Sequence, residues 1–166
     1  TTLVAAHMAN AGGTAAAVAA GLEAFSGVKG RLQRRAGKLG AEILDDTYNA
    51  NPDSVRAGID VLAATIGRKL LVLGDMGEIG EASGQYHDEI GGYAKSQGID
   101  RLFALGDAAQ QAVRNFGEGA KHYCNIEKLI VAVDKELGPE TTVLIKGSRF
   151  MKMERVADAL VAQEKN

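Results

Sequence analysis

Four stretches of the 166-residue chain gather side chains able to do chemistry. The run Asp45-Asp46-Thr47-Tyr48-Asn49-Ala50-Asn51-Pro52-Asp53-Ser54 sets carboxylates, amides and a phenol side by side. Carboxylates suit ribose hydroxyls or a metal, and amides suit a base or a peptide backbone. The plainer alternative is that Asn51 caps the next helix, Asp46 makes an Asx turn and the rest is solvated. Gly74-Asp75-Met76-Gly77-Glu78-Ile79-Gly80 places a glycine at every third residue, which lets backbone amides turn toward a ligand or simply makes a pliable crossover loop. Gly106-Asp107 adds a further carboxylate next to a glycine. Lys146-Gly147-Ser148-Arg149 brings a cation, a hydroxyl and a guanidinium to what reads as a helix N-terminus, suited to an anion unless Ser148 is a plain N-cap.

Other reactive types are dispersed. His7, His87 and His122 fall on different elements, and only His87 lies near the strand-end loops, where a packing role suffices. Cys124 reads as a small buried residue, and Met151 and Met153 as one helix face. No Ser-His-Asp arrangement or metal-ligand spacing can be assembled. Neither G-x-G-x-x-G nor G-x-x-x-x-G-K-[ST] occurs, so the dinucleotide and P-loop fingerprints are both unmet.

The elements that must position these loops follow a repeated strand–loop–helix cadence. Leu32–Arg35 and Ala41–Leu44 flank a Gly-containing turn and predict a hairpin. Asn51 as N-cap and Pro52 at the first helical position predict a helix to about Thr65, with Val55, Ile59, Leu62 and Ile66 on its buried face. Strands are predicted at Lys69–Leu73, Leu102–Leu105, near His122-Tyr123 and at Thr142–Ile145. Helices are predicted over about 84–97, to Phe116, over 126–137 and from Ser148 to about Gln163. Short apolar strands separated by amphipathic helices imply a doubly wound, mostly parallel α/β sheet entered by an antiparallel hairpin. In such sheets ligands bind outside the carboxyl ends of the strands, where all four stretches fall. Two Ala-rich helices, about 1–10 and 15–25, precede this unit as a short helical remnant.

Composition narrows the class. With 46% hydrophobic and 24% charged residues, a core can be built. A net charge of −2 supplies no broad positive field for nucleic acid. One cysteine excludes an internal disulfide, and no apolar run approaches the roughly 18 residues a membrane helix needs, so a cytoplasmic chain without membrane insertion is expected. The chain holds 21 glycines, where about 12 would be usual at ~7%. That excess points to loops in which backbone approaches a ligand.

Gly30-Arg31-Leu32, the run from Asp45 to Ser54, Leu73-Gly74-Asp75-Met76-Gly77-Glu78, and Lys146-Gly147-Ser148-Arg149 with Met151 and Met153-Glu154 occur in an order that resembles the Mur ligase family. The resemblance runs from about Gly21 to Leu160, and the Asp-Asp-Thr-Tyr-Asn-Ala-Asn-Pro loop points to the member acting on UDP-N-acetylmuramoyl-tripeptide and D-alanyl-D-alanine. It implies an ATP-dependent amide-bond ligase of peptidoglycan synthesis. In such an enzyme a peptide carboxylate is activated as an acyl phosphate and attacked by the amine of D-alanyl-D-alanine. It further implies three domains, of which residues 28–166 would be the Rossmann-like third and residues 1–27 the helical tail of the central ATP-binding one, with Ser26 to Gly30 as a hinge. The P-loop and magnesium ligands would lie upstream of Thr1. ATP and Mg2+ would then belong to the full-length enzyme, with no metal site here, no tight cofactor binding and no activity for this chain alone.

Carried over by position, the resemblance makes Arg31 the arginine that reaches the ATP phosphates and Asp46 the acceptor of the ribose hydroxyls, with Asn49 and Asn51 beside the nucleotide. Lys146 and Ser148 would line the acceptor side and, with Arg31, serve catalysis; Asp75 and Asp107 are further substrate-side candidates. His7 does not match the family's His-Asn element. On the residues alone, a self-standing α/β module that binds a nucleotide or a protein through the same loops stays open.

Overall fold

Alternation along each strand decides the architecture. In the computed structural model, which describes residues 29–163, six strands form one sheet in the order β1-β2-β6-β3-β4-β5. They are β1 (Gln33–Ala36), β2 (Glu42–Asp46), β3 (Arg68–Gly74), β4 (Arg101–Leu105), β5 (Ala120–Tyr123) and β6 (Thr141–Lys146). Only β1 and β2 pair antiparallel; every other neighbour is parallel. Five helices connect or follow them: α1 (Pro52–Ala63), α2 (Ser83–Ser96), α3 (Ala109–Phe116), α4 (Ile126–Asp134) and α5 (Glu154–Leu160).

Residues with period two split the core into two layers. Leu44, Leu144, Leu71, Leu73 and Leu102 pack on one face against Val55, Ile59 and Leu62 of α1, Ile90 and Ala94 of α2, and Ala112 and Phe116 of α3. Ile43, Val143, Ile145, Leu70, Val72 and Phe103 pack on the other against Leu129 and Val133 of α4 and Val156 and Leu160 of α5. Each such leucine, isoleucine, valine or phenylalanine, once buried, contributes about 1.5–3 kcal/mol. Helices α2 and α3 approach so closely that a Cβ on Gly91 would strike the backbone of Ala112.

Helix α1 begins where the sequence predicts. Asn51 Oδ1 accepts from the Ser54 N–H at 2.8 Å and Ser54 Oγ accepts from the Asn51 N–H at 3.1 Å, a reciprocal capping box with Pro52 in the first turn. The helix stops at Ala63, however, and Ile66 lies beyond it, 96% exposed rather than buried. The final helix is also shorter than expected. Lys152 adopts a left-handed φ of 51°, so Arg149–Met151 forms only a 3-10 turn and α5 starts at Glu154; Ser148 is therefore not at an α-helix N-terminus. Cys124 is exposed, not buried. The helices expected within residues 1–25, His7 and the start of the Ser26–Gly30 hinge lie outside the described residues. Among the described residues no helix is long and apolar enough to cross a membrane.

The layering determines where a ligand can enter. Strands β2, β3 and β4 lead into helices on one face, and β5 and β6 into helices on the other. Neighbouring strands whose connections depart to opposite faces leave a crevice at their carboxyl ends. That condition is met at β2/β6, β6/β3 and β4/β5.

Candidate functional site

The crevice at β2/β6 holds a cleft of about 420 Å³ lined by Arg31, Asp46, Tyr48, Asn49, Asn51 and Lys146. Asp46 and Lys146 are register partners across the parallel ladder, so their side chains emerge on the same face. Lys146 Nζ donates to Asp46 Oδ2 at 2.5 Å and to the Asn49 carbonyl at 3.0 Å, and the lysine is 2% exposed. Asp46 Oδ1 accepts from the Leu32 N–H at 3.1 Å, which ties the segment carrying Arg31 to the end of β2. A carboxylate offers about four lone-pair positions, so each oxygen of Asp46 keeps one for a hydroxyl donor.

The loop after β2 is shaped by its neighbour. Asp45 is fully buried; its Oδ1 accepts from the Thr47 hydroxyl at 2.7 Å and the Thr47 N–H at 3.3 Å, and its Oδ2 accepts from Arg35 at 3.0 Å. The Asx turn thus belongs to Asp45 and leaves Asp46 to the cleft. Arg35 also reaches Asp158 of α5 at 2.8 Å. Burial opposes the charge on Arg35, but its hydrogen bonds to Asp158 and Asp45 and their negative charges outweigh it and raise its pKa. The Tyr48 N–H donates to the Gly30 carbonyl at 2.8 Å, and the Arg31 guanidinium sits over the Tyr48 ring at 4.3 Å. Stacking there leaves the guanidinium's edge N–H groups available to an anion. Asn51 spends its carbonyl oxygen on the capping box, so only its amide nitrogen remains for a ligand.

Ser148 stands behind this cleft, 3% exposed. Its Oγ accepts from the Gly77 N–H at 2.6 Å and donates to the Ala50 carbonyl at 3.1 Å, while its own N–H donates to the Asp75 carbonyl at 3.0 Å. One residue therefore joins the loops after β2, β3 and β6. Asp75 uses Oδ1 to accept from the Ala109 N–H at 2.8 Å, at the start of α3. Gly106, at φ +110°, lacks the Cβ that would collide with that carboxyl group. Asp107 is placed elsewhere, in a separate cleft of about 430 Å³ at β4/β5 with His122 and Cys124.

Arg31, Asp46, Asn49, Asn51 and Lys146 thus converge, Ser148 and Asp75 support them from behind, and Asp107 stands apart. Sequence reasoning missed Asp45 and Thr47, for which a D-x-T spacing at a strand end was the available signal. Among the described residues no group of three His, Cys, Asp or Glu could hold a metal ion.

A model of the family described as Mur ligase, glutamate ligase domain, matches residues 30–149. The chain is 41% identical over 128 residues to the UDP-N-acetylmuramoyl-tripeptide–D-alanyl-D-alanine ligase of Buchnera aphidicola, covering 74% of this chain and 27% of that protein. Among solved structures it is similar to MurF from Acinetobacter baumannii, with a TM-score of 0.73 and 34% identity over 89% of this chain and 33% of that one. It is likewise similar to MurF ligase from Thermotoga maritima in complex with ADP, with a TM-score of 0.73 and 29% identity over 82% of this chain and 31% of that one. The chain spans about a third of the length of the curated relatives it matches.

Proposed function

The chain belongs to the Mur ligase family, through its glutamate ligase domain, and from that premise we propose that it is the carboxyl-terminal domain of an ATP-dependent ligase of peptidoglycan synthesis. The full-length enzyme joins D-alanyl-D-alanine to UDP-N-acetylmuramoyl-tripeptide in the cytoplasm. Residues 28–166 form the closing domain, and residues 1–27 belong to the central ATP-binding one. The observation that carries this reading is the convergence of Arg31, Asp46, Asn49, Asn51 and Lys146 on one cleft from loops far apart in sequence.

ATP supplies the phosphoryl group that activates the precursor's carboxylate, and the amine of D-alanyl-D-alanine displaces phosphate from the acyl phosphate to form the amide. Asp46 binds the ribose through its remaining lone pairs, and Lys146 holds that carboxylate in place. Arg31, exposed at the cleft rim and stacked over Tyr48, reaches the phosphates and stabilises charge developing during transfer. Asn49 and Asn51 complete the nucleotide wall with amide groups. Ser148 and Asp75 hold the loops that face the acceptor, and Asp107 lines the separate crevice at β4/β5. Among the described residues none is assigned to magnesium, because Asp46, the carboxylate lining the cleft, is paired with Lys146.

Full-length enzyme assayed with ATP, the UDP-tripeptide and D-alanyl-D-alanine should sustain ADP release over many turnovers only when all three are present. Arg31→Ala should lower kcat about 100-fold, and Asp46→Ala should raise KM for ATP about tenfold, as expected for charge-assisted hydrogen bonds of ~1.5–3 kcal/mol. Sustained turnover at the same rate without D-alanyl-D-alanine would overturn the substrate assignment. The 166-residue chain alone should show no turnover, since its sequence contains no G-x-x-x-x-G-K-[ST] loop.

A further inference from the structure

His87 is fully buried in the second turn of α2, and none of the roles above uses it. We infer that His87 is a positioning residue: a neutral imidazole that fixes the loop after β3 and, through that loop, the Ser148 junction behind the cleft. Its ring is held at both nitrogens. Nε2 lies 2.9 Å from the Met76 backbone nitrogen, which can only donate, so Nε2 presents its lone pair. Nδ1 lies 2.7 Å from the Ser83 carbonyl oxygen, which can only accept, so Nδ1 carries the proton. The partners thus dictate one tautomer and leave neither nitrogen free.

The bond to Met76 matters because of what the next residue does. The Gly77 N–H donates to Ser148 Oγ at 2.6 Å, and Ser148 Oγ–H in turn donates to the Ala50 carbonyl in the loop that lines the cleft. Two consecutive amides of one loop are therefore pinned on opposite sides, one by a helix imidazole and one by a strand-end hydroxyl. The loop needs such pins, since Glu78 immediately after them sits at a left-handed φ of 58°, a conformation that costs a non-glycine residue energy. The Asp75 carboxylate does not substitute for the imidazole; its Oδ1 stands 3.9 Å from Nε2 and accepts from Ala109 instead. An apolar side chain of similar size would fill the space of His87 and leave the Met76 N–H buried without an acceptor.

The kinetic part of the test rests on the proposed ligase function; the spectroscopic part does not. In the 166-residue chain, wild-type nitrogen spectra should show a protonated Nδ1 and an unprotonated Nε2 for His87, a measurement that needs no variant. His87→Leu should speed hydrogen exchange at the Met76 and Gly77 amides about ten- to a hundredfold while amides at the centres of β3 and β6 keep their protection. His87→Gln, whose amide oxygen reaches the place of Nε2, should restore it. In the full-length enzyme His87→Leu should raise KM for D-alanyl-D-alanine about tenfold with a smaller change in kcat, and His87→Gln should recover most of the loss. An Nε2-protonated ring, unchanged exchange at both amides, failure of glutamine to rescue, or unaltered ligation kinetics would each overturn the inference. If wild-type enzyme does not ligate at all, the ligase reading fails, and the ring and exchange data still decide the role of His87.

Discussion

Lys146 shows how a side chain's partner changes its reading. By sequence it is a cation at a strand end, suited to an anion; in the fold it is buried and donates to Asp46 and to the Asn49 carbonyl. Nothing local could reveal this, because Asp46 lies 100 residues earlier and meets Lys146 only through the β2–β6 register. The residue types of the cleft were legible, and so was the cap at Asn51. The division of labour between Asp45 and Asp46 was not, since it depends on which face of β2 each side chain takes. Lys146→Met should cost about 3–5 kcal/mol of stability, because it leaves a buried carboxylate without its counter-ion. Urea unfolding measures this directly, and Asp46→Asn in the same background should recover part of the loss. A cost below 1 kcal/mol would mean that the pair is solvated.

At the scale of elements, α1 and α2 are joined by a polar clasp on top of their apolar contact. The Tyr93 hydroxyl of α2 donates to Asp60 of α1 at 2.5 Å, and Arg56 lies over the Tyr93 ring at 5.1 Å. The hydrogen bond to Asp60 is the main cause that raises the Tyr93 pKa above its ordinary value near 10. A folded-state pKa raised above the unfolded one contributes stability that is fully present below pH 10 and is lost as pH climbs through the folded value. Thermal melts of wild type and Tyr93→Phe should therefore differ most at neutral pH and converge as the pH rises beyond the ordinary tyrosine range. Parallel curves across that range would count against the clasp. Most elements were legible within two residues, because periodicity and the Asn51–Ser54 cap are local signals. The largest error came where a single backbone dihedral intervened, Lys152 in a left-handed conformation shortening the last helix; α1 also ends before Ile66 can join its face, and α4 stops at Asp134 rather than near 137.

At the scale of the molecule, the sheet order explains why one edge carries all the polar loops. The crevices at β2/β6 and β6/β3 lie side by side, and both involve β6, the strand whose flanking loop contains Lys146 and Ser148. The parallel order itself was legible from the strand–helix cadence. The insertion of β6 between β2 and β3 was not, because hydrophobic strands of similar length carry no label of their neighbours. A chain ending at Pro139 should lack cooperative unfolding, since β2 and β3 would have no strand between them; circular dichroism against temperature would reveal a sharp transition if this is wrong.

That insertion also has a consequence for chain synthesis. The strand that occupies the middle of the sheet is the last of the six to leave the ribosome, so the earlier strands wait with their inward edges unpaired until more than a hundred residues have been made. The cleft is completed by that same late arrival. A ligand lodged there recognises only the finished domain and shifts the folding equilibrium of the whole of it, not of one half.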